Sequence, residues 1–138
     1  MISYRVAKGG FTFDLDAVLD LYRDSTLGER RPIDDRERWD SVLRNSNLVV
    51  TAYDGDLLVG ISRCVTDFAY ATYLSDLAVR LSHQRRGIGK ELIHLTQQAC
   101  PQANIILLSA PKAVEYYPHV GMKQHPSAWT LPSGEQLR

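Results

Sequence analysis

In "SDLAVRLSHQRRGIGKELIHLTQQA", residues 75–99, an apolar run that reads as a strand, a basic turn with two glycines and a stretch of helical period follow without a break. A strand feeding directly into an amphipathic helix commits the chain to a layered α/β architecture, because each element must bury an apolar face against another. With 138 residues and 44% hydrophobic content there is enough apolar surface for one continuous core. The expectation is a single domain over 1–138.

The flanking segments fit that class. "ISYRVAK" alternates apolar and polar positions as a first strand, closed by Gly9 and Gly10. In "FDLDAVLDLYRDSTL", Leu15, Val18, Leu21 and Tyr22 share one helical face, and Thr12 or Asp14 can cap its start. "PIDDRERWDSVLRNSN" reads as a second helix with Pro32 near its start and Trp39, Val42 and Leu43 on the buried side. Two β-rich runs joined at Asp54-Gly55 form an antiparallel hairpin, and "ATYLSDLAVR" is a fourth strand apolar enough to be covered on both faces. Ile88, Leu92, Leu95 and Ala99 make the apolar stripe of a third helix, ended by Pro101. "NIILLSA" reads as a buried fifth strand, "PKAVEYYPHV" as a short helix, and "MKQH" and "AWTL" as last strands around Pro126.

The glycine-rich turn has two readings. It is either a solvated basic loop or a phosphate cradle, since the first N–H groups of a helix lack intrahelical partners and carry the positive end of the macrodipole. Two glycines in the first helical turn weaken a helix by about 0.5–1 kcal/mol each, a cost that close approach of a ligand to the backbone would explain. Arg85, Arg86 and Lys90 would add charge at that point. A Walker loop is excluded by Gln84 and Glu91, and the dinucleotide fingerprint by Leu92 in its sixth place. Sixteen basic residues balance sixteen acidic ones, which argues against nucleic acid or an anionic membrane as partner and makes any anion site local.

The pattern Q/R-x-x-G-x-G/A does fit, in Gln84, Arg85, Arg86, Gly87, Ile88 and Gly89, directly after an apolar strand. Downstream, "EYYPHVGM" is similar to an aromatic-Tyr-x-x-x-Gly-aromatic/aliphatic segment. In these motifs and in the order of its elements the chain resembles the GNAT family of N-acetyltransferases, over nearly its whole length and most closely from Tyr73 to Met122. The resemblance implies an α/β single-domain GNAT fold with a mixed central sheet of about six to seven strands and about four helices. Its fourth and fifth strands would splay to hold acetyl-CoA.

The implied site follows the motif residue by residue. Leu77, Ala78 and Val79 would pair their backbone with the pantetheine arm, and one N–H would polarise the thioester carbonyl. The backbone from Arg85 to Lys90 would take the pyrophosphate. Tyr117 matches the tyrosine that protonates the departing sulfur, a thiol with a pKa of roughly 8.5 served by a phenol of roughly 10. Asp76 is the candidate general base, with ion pairing to a basic side chain as the competing reading, and Glu29 is a second candidate. Tyr116 is assigned to packing. Ala110 stands where many members carry Asn, and Leu81 where many carry Pro.

The implied activity is transfer of acetyl from acetyl-CoA to a primary amine by direct attack in a ternary complex. "ERRPIDDRERW" and "LSDLAV" resemble members acting on aralkylamines, which favours a small amine over a protein lysine or N-terminus. A non-catalytic acyl-CoA-binding module is the alternative. Arg30 and Arg31 could bind an acidic substrate, and His119 could line the acceptor pocket. His83, His94, His119 and His125 lack ligand spacing, so no metal is expected. Cys64 and Cys100 have neither redox nor metal spacing and read as core residues of a cytoplasmic protein without signal or membrane segment. A homodimer is an expectation of the family.

Overall fold

The computed structural model describes residues 1–9 and 12–138, so Gly10 lies outside the described residues. The chain packs as two units, Met1–Leu108 and Ser109–Arg138. In the first, β1 (Ile2–Lys8), β2 (Leu48–Asp54), β3 (Leu57–Thr66), β4 (Ala71–Val79) and β5 (Asn104–Ile106) form one sheet in the order β1-β2-β3-β4-β5. The first four strands are antiparallel neighbours, and β5 joins β4 in parallel. The hairpin turn falls on Gly55 and Asp56, where Gly55 at φ 60° supplies the left-handed residue that the tight connection needs.

Helix α1 (Leu15–Asp24) begins at Asp14, whose carboxylate accepts the N–H of Ala17, and α2 (Arg36–Arg44) begins at Asp35, which accepts that of Arg38. Their apolar sides, with Leu19, Tyr22, Trp39 and Leu43, pack on Val49, Leu58, Ile61 and Ala78 of one sheet face. Helix α3 (Ile88–Ala99) covers the opposite face, where Ile88 and Leu92 meet Val50, Ala52 and Val59. Adjacent Val49 and Val50 thus serve opposite cores, as strand alternation requires.

Five strands stand where about six to seven were expected. The runs "MKQH" and "AWTL" form no strands: each is four residues long, boxed by Gly121, Pro126 and Pro132, and every residue from Lys123 to Arg138 is exposed. The fifth strand is also shorter and less buried than its sequence suggests, with Ile106 54% exposed. The second unit holds a 3-10 turn, Pro111–Ala113, and the four-residue helix α4, Tyr116–His119.

Candidate active site

β4 changes character half-way along. Arg63 and Cys64 of β3 lie opposite Asp76 and Leu74, so Ser75 has no counterpart and forms a β-bulge. One extra residue reverses which side chains meet which face. Thr72 and Leu74 point to α3, where Thr72 hydrogen-bonds Cys100 Sγ at 3.2 Å, whereas Asp76 and Ala78 point to α1 and α2.

The ladder from β4 to β5 covers only Ala71–Tyr73 against Asn104–Ile106. Beyond it β4 continues to Val79, and backbone direction alternates residue by residue. Arg80 donates its N–H to Val59 O at 2.9 Å, so the register sends the backbone of Ala78 to β3 and turns that of Leu77 and Val79 to the open edge. The expected contact run is corrected accordingly: Ala78 has its backbone toward β3, leaving Leu77 and Val79 to serve the edge.

The turn that follows is anchored at three points. Arg80 donates to Leu58 O and to Asp20 of α1, at 2.7 and 2.6 Å. His83 is buried, with Nε2 2.9 Å from Asp54 at the β2 end and Nδ1 2.7 Å from Ser82 Oγ, which makes it a structural residue. Gln84 Nε2 donates to Val79 O at 3.0 Å and ties the turn to the end of β4. Beyond these anchors Arg85 (φ 63°) and Gly87 (φ 81°) are left-handed, and Gly87 precedes α3 with no side-chain hydrogen bond to the helix start. Alternating left-handed residues before an uncapped helix gather N–H groups into a concavity suited to an anion. Arg85, Arg86 and Lys90 are exposed around it, and a Cβ built on Gly87 meets no atom within 4 Å. These features fit a diphosphate.

Asp76 is 1% exposed and holds three donors: Tyr22 Oη at 2.8 Å, Arg31 Nε at 2.7 Å and Arg63 Nε at 2.5 Å. Arg31 also donates to Ser75 O at 2.8 Å, and Arg63 to Ser75 Oγ at 2.8 Å and Ser46 Oγ at 3.0 Å. Burial, and then the Asp76 charge, holds the Tyr22 phenol well above its ordinary pKa. Both carboxylate oxygens are engaged, which is the ion-paired reading of this residue. The sequence carries the signal of this network, though not its members: one arginine and one aspartate inside neighbouring apolar strands.

Glu29 and Arg30 are exposed on the 3-10 turn Leu27–Arg30. Tyr117 lies on α4 of the second unit with its ring 5.3 Å from Tyr116, edge to face. Burial, then Tyr116, raises the Tyr117 pKa above its usual 10.0, so the phenol is protonated at neutral pH. Tyr116 is exposed rather than packed in a core, and His119 is exposed on the same helix. Ala110 precedes the Pro111–Ala113 turn, and Leu81 is 55% exposed. Among the described residues no cluster of three or more metal-ligating side chains occurs, and no helix is long and apolar enough to cross a membrane.

A family model described as "Acetyltransferase (GNAT) domain" matches residues 29–129, which include the open strand, the glycine turn and Tyr117. The chain belongs to the GNAT family of acetyltransferases. Solved structures agree with this assignment. A GNAT-family acetyltransferase from Streptococcus pneumoniae TIGR4 is 26% identical with a TM-score of 0.75, over 95% of this chain and 98% of that one. An aminoglycoside acetyltransferase from an uncultured soil metagenomic sample, in complex with trehalose, shares the fold at 20% identity and TM-score 0.68, over 99% and 97%. An aminoglycoside N-acetyltransferase in complex with CoA does so at 13% identity and TM-score 0.70, over 97% and 95%. In this GNAT chain the sheet is mixed and α3 starts at the motif.

Proposed function

We propose that this GNAT protein transfers acetyl from acetyl-CoA to a small primary amine, with both units acting as one acetyltransferase domain. The observation that carries the reading is the open edge of β4 running, through the turn anchored by Gln84, into the uncapped start of α3. Acetyl-CoA supplies an acetyl group activated as a thioester. The backbone of residues Arg85 to Lys90 holds the diphosphate, Leu77 and Val79 offer the edge to the pantetheine arm, and Leu77 N–H donates to the thioester oxygen as charge builds there. Tyr117 gives its proton to the leaving sulfur.

The amine attacks directly. Cys64 is a poor nucleophile, its thiol pushed up to about 11 chiefly by burial. Asp76 has its oxygens committed to three donors, so we assign it to shaping β4; the neutral fraction of the acceptor is the attacking species, and the proton its nitrogen sheds passes to solvent, from which Tyr117 is reprotonated.

Two of the structural neighbours are aminoglycoside acetyltransferases, which supports a small-molecule acceptor. An apolar row across β3, β4 and β5, formed by Val65, Tyr73 and Ile106 in register and each 41–54% exposed, supports an aralkylamine. Two buried, unbridged cysteines suit a reducing compartment such as the cytoplasm.

The test follows free thiol when the protein is incubated with acetyl-CoA and a panel of arylalkyl amines, aminoglycosides and lysine peptides. Release of CoA with a small amine, faster than with peptides, is expected. Release with none of them, above hydrolysis, would refute the enzyme reading.

A further inference from the structure

Neutralising Asp76 takes one guanidinium, and buried Arg63, its partner across the β3–β4 register, already supplies it. Arg31 brings a second positive charge from a different place, the connection between α1 and α2, 45 residues away along the chain. Charges are costly to remove from water, so a second one needs a reason beyond pairing. Arg31 has one in its geometry: its fork bridges Asp76 Oδ1 and the Ser75 carbonyl, 2.7 and 2.8 Å away. Ser75 is the bulge residue, and Leu77, whose N–H turns to the open edge, lies two residues on.

The connection is built to hold Arg31 in place. Its carbonyl accepts the N–H of Ile33 at 2.8 Å, and Ile33 packs so closely on Gly28 that an added Cβ would lie 2.7 Å from Ile33 Cδ1 and 3.2 Å from Tyr22 O. Arg31 is therefore fixed from behind by the loop while its head fixes β4.

We propose that Arg31 is a positioning residue for acetyl transfer: by clamping the Asp76 side chain and the Ser75 carbonyl together, it sets the direction in which β4 presents Leu77 N–H to the thioester. This rests on the reading of the β4 edge given above. The diphosphate grip is a separate structure, anchored by Arg80, His83 and Gln84, and does not depend on Arg31.

The test measures binding of acetyl-CoA and of CoA by calorimetry, and steady-state rates, in wild type, Arg31→Gln and Arg31→Lys. Wild type is expected to prefer acetyl-CoA over CoA. Arg31→Gln should keep CoA affinity within about twofold, lose that preference, and lower kcat by about 10–100-fold, with KM for acetyl-CoA rising only as far as the lost preference. Arg31→Lys retains the charge but offers one nitrogen where two acceptors must be bridged, so it should behave like Arg31→Gln; it also serves if the glutamine variant does not fold. Methylguanidinium should restore part of the rate to Arg31→Ala. Full activity in Arg31→Gln or Arg31→Lys, or equal loss of acetyl-CoA and CoA binding, overturns the clamp. Wild type that binds neither compound overturns the donor reading and the clamp with it, an outcome distinct from a failure of Arg31 alone.

Discussion

Asp76 is a negative charge with almost no exposed surface, so its contribution depends on the donors around it. Removing it by Asp76→Ala leaves Arg63 and Arg31 without their common partner, one of them buried, and should cost about 3–5 kcal/mol of stability. Tyr22→Phe removes one donor and leaves the two guanidiniums, a smaller loss of about 1–3 kcal/mol. Chemical denaturation with unchanged m-value would read both. If Asp76→Ala were as stable as wild type, solvent would be reaching Arg63 and the buried network would carry no net stabilisation. Tyr22 is also wedged edge to face against Trp39, 5.4 Å between ring centres, so its phenylalanine variant keeps that packing and isolates the hydroxyl.

The link between β3 and β4 shows how an element boundary can be fixed by one side chain. Asp67 Oδ1 accepts the N–H groups of Tyr70, Ala69 and Ala71 at 2.7, 2.8 and 3.0 Å, and these bonds hold its pKa below the ordinary 3.8, Tyr70 contributing most. A carboxylate with a depressed folded pKa stabilises fully above its unfolded value, and that contribution is lost as pH falls through the lower folded value. The Tm of wild type should therefore exceed that of Asp67→Ala near neutrality, and the gap should close as pH falls below about 3.9. A gap that persisted unchanged into strong acid would mean that the protonated side chain holds the turn as well as the carboxylate does, and the charge would carry nothing. Local chemistry of this kind is legible in a sequence: the cap Asp14 and the stripe of α3 appear where their residues point, and the hairpin forms with its turn one residue on, at Gly55 and Asp56. Register is not. Nothing in "LSDLAV" marks Ser75 as the extra residue, because a bulge is defined by the partner strand, and so the sequence alone does not separate Ala78 from its neighbours on the open edge. The last strands failed for a related reason, since a four-residue β-prone run becomes a strand only when a neighbour supplies hydrogen bonds.

The molecule carries no net charge, and its proposed chemistry is divided between the two units, with the donor grip in the first and Tyr117 in the second. The family model spans both, from 29 to 129, so turnover should need what binding does not. Tyr117→Phe is accordingly expected to bind acetyl-CoA as wild type does and to lose about 100-fold or more in kcat. Gly89→Asp should act on binding itself, abolishing the thermal shift given by acetyl-CoA because a carboxylate meets phosphate at the start of α3. The pH profile separates acid from acceptor. With an acceptor amine of pKa about 8, the rate should climb with pH until the amine is neutral and then level off. A falling limb should begin only above the ordinary phenol value, because burial, and then Tyr116, favours the protonated Tyr117. That limb should vanish in Tyr117→Phe. Changing to a more basic amine should move the rising limb and leave the falling one in place; if both moved together, the proton would be passing through the acceptor and Tyr117 would not be the acid.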